Sequence, residues 1–372
     1  MMVFLALNGI VVLAQQTDDD QTEQEILNQS GAAQLLDQLP QETARFFEQN
    51  GIEKVDSSEI LNLDGKRFFE MLWDGILAGM STPIRILATI VGMIMLSALL
   101  GTFEHGFADK SFSKVFHVLS VLCISGIIVT PVISLIEETV ELIKQVSSFL
   151  MGFIPVFTGI ISVSGKPLSA FAYHGMLLGC VELVSVVAAN LLIPLCGIYL
   201  ALCLTSAATD QVEVGGISKS IQTIVKWILG FLLTLFVGIL TIKSFVANSA
   251  DTITLKTGKY FIGSLVPMVG SAISETLSVI QGSVNVIQST VGAFGILAIV
   301  ICFLPGIVHI LLMNFAIRIA QGVGDMLHTQ RISGLLQATS FVLSFLQSLL
   351  ICYGIMVIIS ISLMLVLGLS TT

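Results

Sequence analysis

The chain has 372 residues, of which 55% are hydrophobic and only 11% charged, with a mean hydropathy of +0.95. A soluble fold of that length needs a polar coat that this composition cannot supply, so most side chains must face lipid or one another. The net charge of −9 repels phosphate and no basic stripe offsets it, which argues against nucleic acid as a partner.

The charge is concentrated at one end. Residues 15–82 hold 14 acidic and 4 basic residues, a net of −10, whereas Pro83 onward holds 11 acidic and 12 basic, a net of +1. Before the acidic stretch, Val3 to Leu13 is apolar but too short to span a bilayer. It ends in Val12-Leu13-Ala14 ahead of Gln15, the pattern of a signal peptide cut after Ala14, although nothing before Asp18 is charged. The expected organisation is therefore a leader over 1–14, an acidic extracytoplasmic segment over 15–82 and a multi-span domain over 83–372.

Within the acidic segment, Pro40 to Asn50 reads as a short helix stopped by Gly51, with Phe46 and Phe47 as its apolar face. Phe68, Phe69, Leu72, Trp73, Ile76, Leu77 and Met80 recur at helical spacing, with Glu70 and Asp74 opposite. This amphipathic stretch is expected to lie on the membrane surface or to pack on a partner domain.

Apolar runs long enough to cross follow at Ile86–Phe103, Val115–Ile136, Ser147–Val163, Leu168–Ala188, Asn190–Ala208, Trp227–Phe245, Ser289–Leu312 and Phe341–Leu367. The expected fold class is thus all-α, a polytopic helical membrane protein of about eight spans. The fourth and fifth come from dividing one long run near Asn190 and Pro194, because a single helix there would be twice too long for a bilayer. With the amino-terminal segment outside, seven Lys and Arg fall in cytoplasmic connections and five outside, provided that Tyr260 to Ile280 is re-entrant instead of crossing.

No catalytic constellation emerges. The six cysteines sit singly in apolar runs, and the five histidines show no metal-binding spacing, so neither a metal nor a cofactor is expected. There is no phosphate loop and no serine-nucleophile elbow. Gly322-Val323-Gly324-Asp325 resembles an aspartyl membrane protease motif, but no second Asp occurs within a span to divide the acid and base roles.

Ionisable groups within the bilayer are costly and mark candidate function. His174 and Glu182, eight residues apart on one helical face, and His309, four residues after Pro305, form a candidate polar path for a solute or proton. Helix-to-helix hydrogen bonding is the competing explanation. Asp251, Lys256 and Lys259, followed by Pro267 and Gly270, mark a candidate broken or re-entrant segment. Gly175 and Gly179 make a Gly-xxx-Gly step for close helix packing.

The stretches Ile217 to Leu240, Asp251 to Gly270 and Gly292 to Leu297 onward, with the leader, the acidic segment and the spans around them, resemble the stage III sporulation protein AE family of endospore-forming bacteria. That resemblance implies a multi-pass subunit, made in the mother cell, of the channel or feeding-tube assembly between mother cell and forespore. The implied partners are sister proteins of the same operon and a forespore membrane protein, with homo-oligomerisation left open. It implies no enzyme activity. A secondary transporter of a small solute associated with that assembly is the alternative.

Overall fold

The computed structural model describes residues 31–49, 52, 70, 73–77, 79–103, 110–163, 167–208, 216–239, 241 and 270–369. The expected leader, most of the acidic stretch, and Asp251, Lys256, Lys259 and Pro267 lie outside the described residues.

Among these residues the structure is helical throughout. A short 3-10 turn, Ala32–Leu35, leads to α1, Gln41–Gln49, one residue inside each expected boundary. The remaining elements are α2 (Ser81–Phe103), α3 (Lys110–Val163), α4 (Pro167–Val187), α5 (Ile193–Ala208), α6 (Gly216–Ile239), α7 (Gly270–Met326) and α8 (Gln330–Leu369). A π-helical turn, Ala188–Leu192, joins α4 to α5.

Among the described residues six helical stretches, against eight expected spans, are long and apolar enough to cross a membrane. The second and third expected spans are one 54-residue helix, α3. The polar interval between them, Glu137-Glu138-Thr139-Val140-Glu141-Leu142-Ile143-Lys144-Gln145, is mostly good helix formers and contains no Gly or Pro, so nothing in it ends a helix. Pro131 and Pro155 lie within α3. The fourth and fifth spans likewise run together, with the extra residue at Asn190 absorbed as a π-turn and not a loop.

Three boundaries also move. Trp73 and Leu77, expected on a surface helix, belong to the same apolar stretch as α2, Trp73–Leu99. Lys219 and Lys226, which precede the expected apolar run Trp227–Phe245, lie within α6, where the Lys226 ammonium stands 5.4 Å from the Phe341 ring centroid. Gly270, expected in a re-entrant segment, opens the 57-residue α7.

The long helices pack antiparallel. On α7, a Cβ at Gly295 would strike the Phe153 ring of α3, and one at Gly306 would displace the end of the Leu142 side chain. α8 returns beside α7, with Phe303 and Tyr353 rings 5.8 Å apart and Asn314 Nδ2 donating to Ser344 Oγ at 2.9 Å. The α7–α8 turn is closed by the Thr329 hydroxyl donating to the Gly324 carbonyl and by His328 at φ 58°. Gly322 and Gly324 therefore lie in the last turns of α7.

This packing divides the bundle into two storeys. The lower contains α2, α5, α6, the first half of α3, the second half of α7 and the first half of α8. The upper contains α4 and the other halves of α3, α7 and α8. Gly79, just before α2, meets Leu312, and Ile94 reaches Gly324, so α2 descends beside α7 from the junction. α6 also stays in the lower storey, with Gln222 donating to the Tyr199 hydroxyl at 2.7 Å and Tyr199 packed 5.0 Å from Phe341.

Candidate functional site

The polar interval of α3 lies at the junction of the storeys and forms a belt. Glu138 Oε2 lies 3.1 Å from His309 Nδ1, joining α3 to α7. One turn along, the Gln145 amide donates to Glu141 at 3.2 Å. Pro305 stands on α7 at the same level, because its neighbour Gly306 faces Leu142. The Tyr353 hydroxyl of α8 neighbours Ser147 and Glu182. Continuing the α3–α4 pairing from Thr158–His174, the π-turn around Asn190 falls at the belt as well.

Residues 31–49 cross this belt and the upper storey as a strap. Ala32, Leu35, Leu39, Phe46 and Phe47 are buried, Gly31 packs near Val156, and the Phe47 and Phe294 rings are 5.3 Å apart. The apolar face read from Phe46 and Phe47 is thus used within the chain. Gln34, Asp37, Arg45 and Glu48 remain on the outer side. Between α1, α3 and α7 lies a half-open cavity of about 480 Å³.

The expected polar path is not assembled as one site. His174 Nδ1 lies 3.1 Å from the Thr158 hydroxyl in the upper storey, whereas His309 meets Glu138 at the belt. Twenty residues of α3 separate those two partners, about 30 Å along the helix. Glu182 is exposed on α4. A Cβ at Gly175 or Gly179 would meet nothing within 4 Å, so the close approach expected there is not made among the described residues.

Two polar groupings escaped the sequence reading. Glu138 sits in an interval read only as a loop between spans. In the lower storey, Asn314 Oδ1 accepts from the Ser340 hydroxyl at 2.8 Å, while the Arg318 guanidinium donates to Ser344 at 3.2 Å. The signal for the second was Asn314 and Arg318, one turn apart at the end of an apolar run and therefore on one helical face. Among the described residues, no group of three or more His, Cys, Asp or Glu could hold a metal ion.

Six apolar helical stretches of spanning length and a mean hydropathy of +0.95 define the class, a polytopic helical membrane protein. The chain belongs to the stage III sporulation protein AE family, whose family model matches residues 49–368. It is 25% identical over 261 residues to stage III sporulation protein AE of Bacillus subtilis (strain 168), a match covering 69% of this chain and 64% of that relative. The matched part is thus just under two thirds of the relative's length. No solved structure matches the chain.

Proposed function

We propose that the chain is a multi-pass, non-enzymatic subunit of a stage III sporulation channel complex linking mother cell and forespore, needed for late forespore gene expression and spore development. One observation carries this reading. At 1.5 Å per residue α3 and α7 are each about 80 Å long, against a hydrocarbon core of about 30 Å, whereas α2 and α6 are about 35 Å long. The lower storey matches one bilayer, and the upper storey continues past it on the side of the strap.

A second bilayer around the upper storey is disfavoured by the strap. Asp37, Arg45 and Glu48 stand on its outer side, and charged groups cost about 2.5–3.5 kcal/mol each at a bilayer centre. The favoured arrangement has the mother-cell membrane around the lower storey and the strap and upper storey projecting into the intermembrane space. There they would meet sister proteins of the same operon and a partner from the forespore membrane.

The test uses single cysteines at exposed positions in a cysteine-free background, with a membrane-impermeant maleimide added from the extracytoplasmic side. Met151→Cys and Phe171→Cys should label while Phe231→Cys and Phe315→Cys resist. Protection of Phe171→Cys equal to that of Phe315→Cys would sink the arrangement. A small-solute permease attached to the same complex is the alternative, supported by the half-open belt cavity. Solute uptake by the purified chain in liposomes without sister subunits would favour it.

A further inference from the structure

We propose that the belt cavity between α1, α3 and α7 binds a small organic cation, an ammonium group on an apolar body. The cavity, about 480 Å³ and half open, lies in the size range of small-molecule sites, which are mostly apolar with a few convergent polar groups. Phe46, Leu142 and Ile301 supply apolar wall, and Glu138 and Glu141 supply two carboxylates.

Neither carboxylate is saturated by its neighbours. His309 engages Glu138 through Oε2 and Gln145 engages Glu141 through Oε1, and an ionised carboxylate offers about four lone-pair sites. Two further features, independent of the carboxylates, point to an absent polar partner. Thr43 is 2% exposed and lines the cavity, yet its hydroxyl makes no hydrogen bond among the described residues. Ile301 also lines the cavity, and the residue four positions on is Pro305 within α7, which has no N–H to return to the Ile301 carbonyl.

An ammonium provides the three donors that such acceptors lack. A bare metal ion matches less well, because the room is large for one ion and, among the described residues, no group of three His, Cys, Asp or Glu is arranged to hold one. The inference does not rest on the channel-complex reading, since a structural subunit and a permease could both carry such a site.

The experiment is calorimetric titration of the full-length protein in nanodiscs with 2-phenylethylammonium and butane-1,4-diammonium, against neutral 2-phenylethanol and calcium chloride. Saturable binding of the ammonium compounds is expected, at least tenfold tighter than the alcohol, and weakened about tenfold in Glu138→Gln/Glu141→Gln. Because that variant could unfold, Cys302 gives a second measurement on the native cavity wall. With the other five cysteines replaced by alanine, 2-phenylethylammonium should slow its modification by a small thiol reagent and the alcohol should not. Equal binding of alcohol and ammonium, binding of calcium alone, or unchanged Cys302 reactivity would each overturn the proposal.

Discussion

The two storeys draw on the same apolar residue types yet are held together differently. In the upper storey, Phe149, Phe153 and Phe157 follow one another along α3 with ring centroids 5.6 and 5.3 Å apart, and the strap adds Phe47 against Phe294. The upper storey also carries hydrogen bonds between helices, Thr158 with His174 and Gln288 to the Met364 and Leu365 carbonyls, whereas the lower storey brings an arginine into its network of Asn314, Arg318, Ser340 and Ser344 between α7 and α8. Both leave large apolar side chains exposed, Trp227, Phe231 and Phe315 below and Met151, Phe171 and Val366 above. In the arrangement proposed above, with lipid around the lower storey alone, apolar burial between helices would give little drive there and hydrogen bonds would specify the contact, whereas aromatic burial would be the main source of stability in the upper storey.

Breaking the aromatic core should show the contrast most strongly. Phe153→Ala is expected to destabilise the protein by about 3–5 kcal/mol, read as a lowered unfolding midpoint in detergent. Phe231→Ala, on an exposed face of the lower storey, should stay within about 0.5 kcal/mol. Similar losses from both would mean that the storeys share one environment.

Phe47→Ala tests whether the strap belongs to the upper storey. Releasing that ring removes about 3 kcal/mol of local packing. Limited proteolysis should then cut within 31–49 well before the bundle unfolds, and an unchanged cutting rate would separate strap from storey. In the lower storey, Asn314→Leu should cost about 1–2 kcal/mol by stranding the groups around it, with little effect on proteolysis of the strap.

The smallest expected effect is at Gly175. With nothing within 4 Å of an added Cβ, Gly175→Leu should change the stability of the isolated chain by less than about 0.5 kcal/mol. A loss confined to the assembled complex would place this α4 face against another subunit. A loss in the isolated chain would mean that α4 packs more tightly than described.

The helical class, the short amino-terminal helix with its apolar face and the approximate positions of most apolar runs were all legible in the residues, because each depends on composition or local periodicity. The candidate site was legible only in fragments. His309 stood out as an ionisable group in an apolar run, but its partner Glu138 is 171 positions away. His174 and Glu182 share a helix and still belong to different surroundings, because periodicity gives the face of a helix and not what lies opposite.

Composition and periodicity determined by themselves that this is a helical membrane protein with an acidic amino-terminal part, since transfer of apolar side chains out of water is a local property of each segment. Only the tertiary structure decided where helices continue and where they stop. A bilayer's thickness suggests a break at Glu137–Gln145, but helix formers carry α3 straight through, and the polar interval is stabilised by α7 and the strap instead of by a loop. The belt with its cavity is a product of antiparallel packing between distant segments, and no single stretch of sequence contains it.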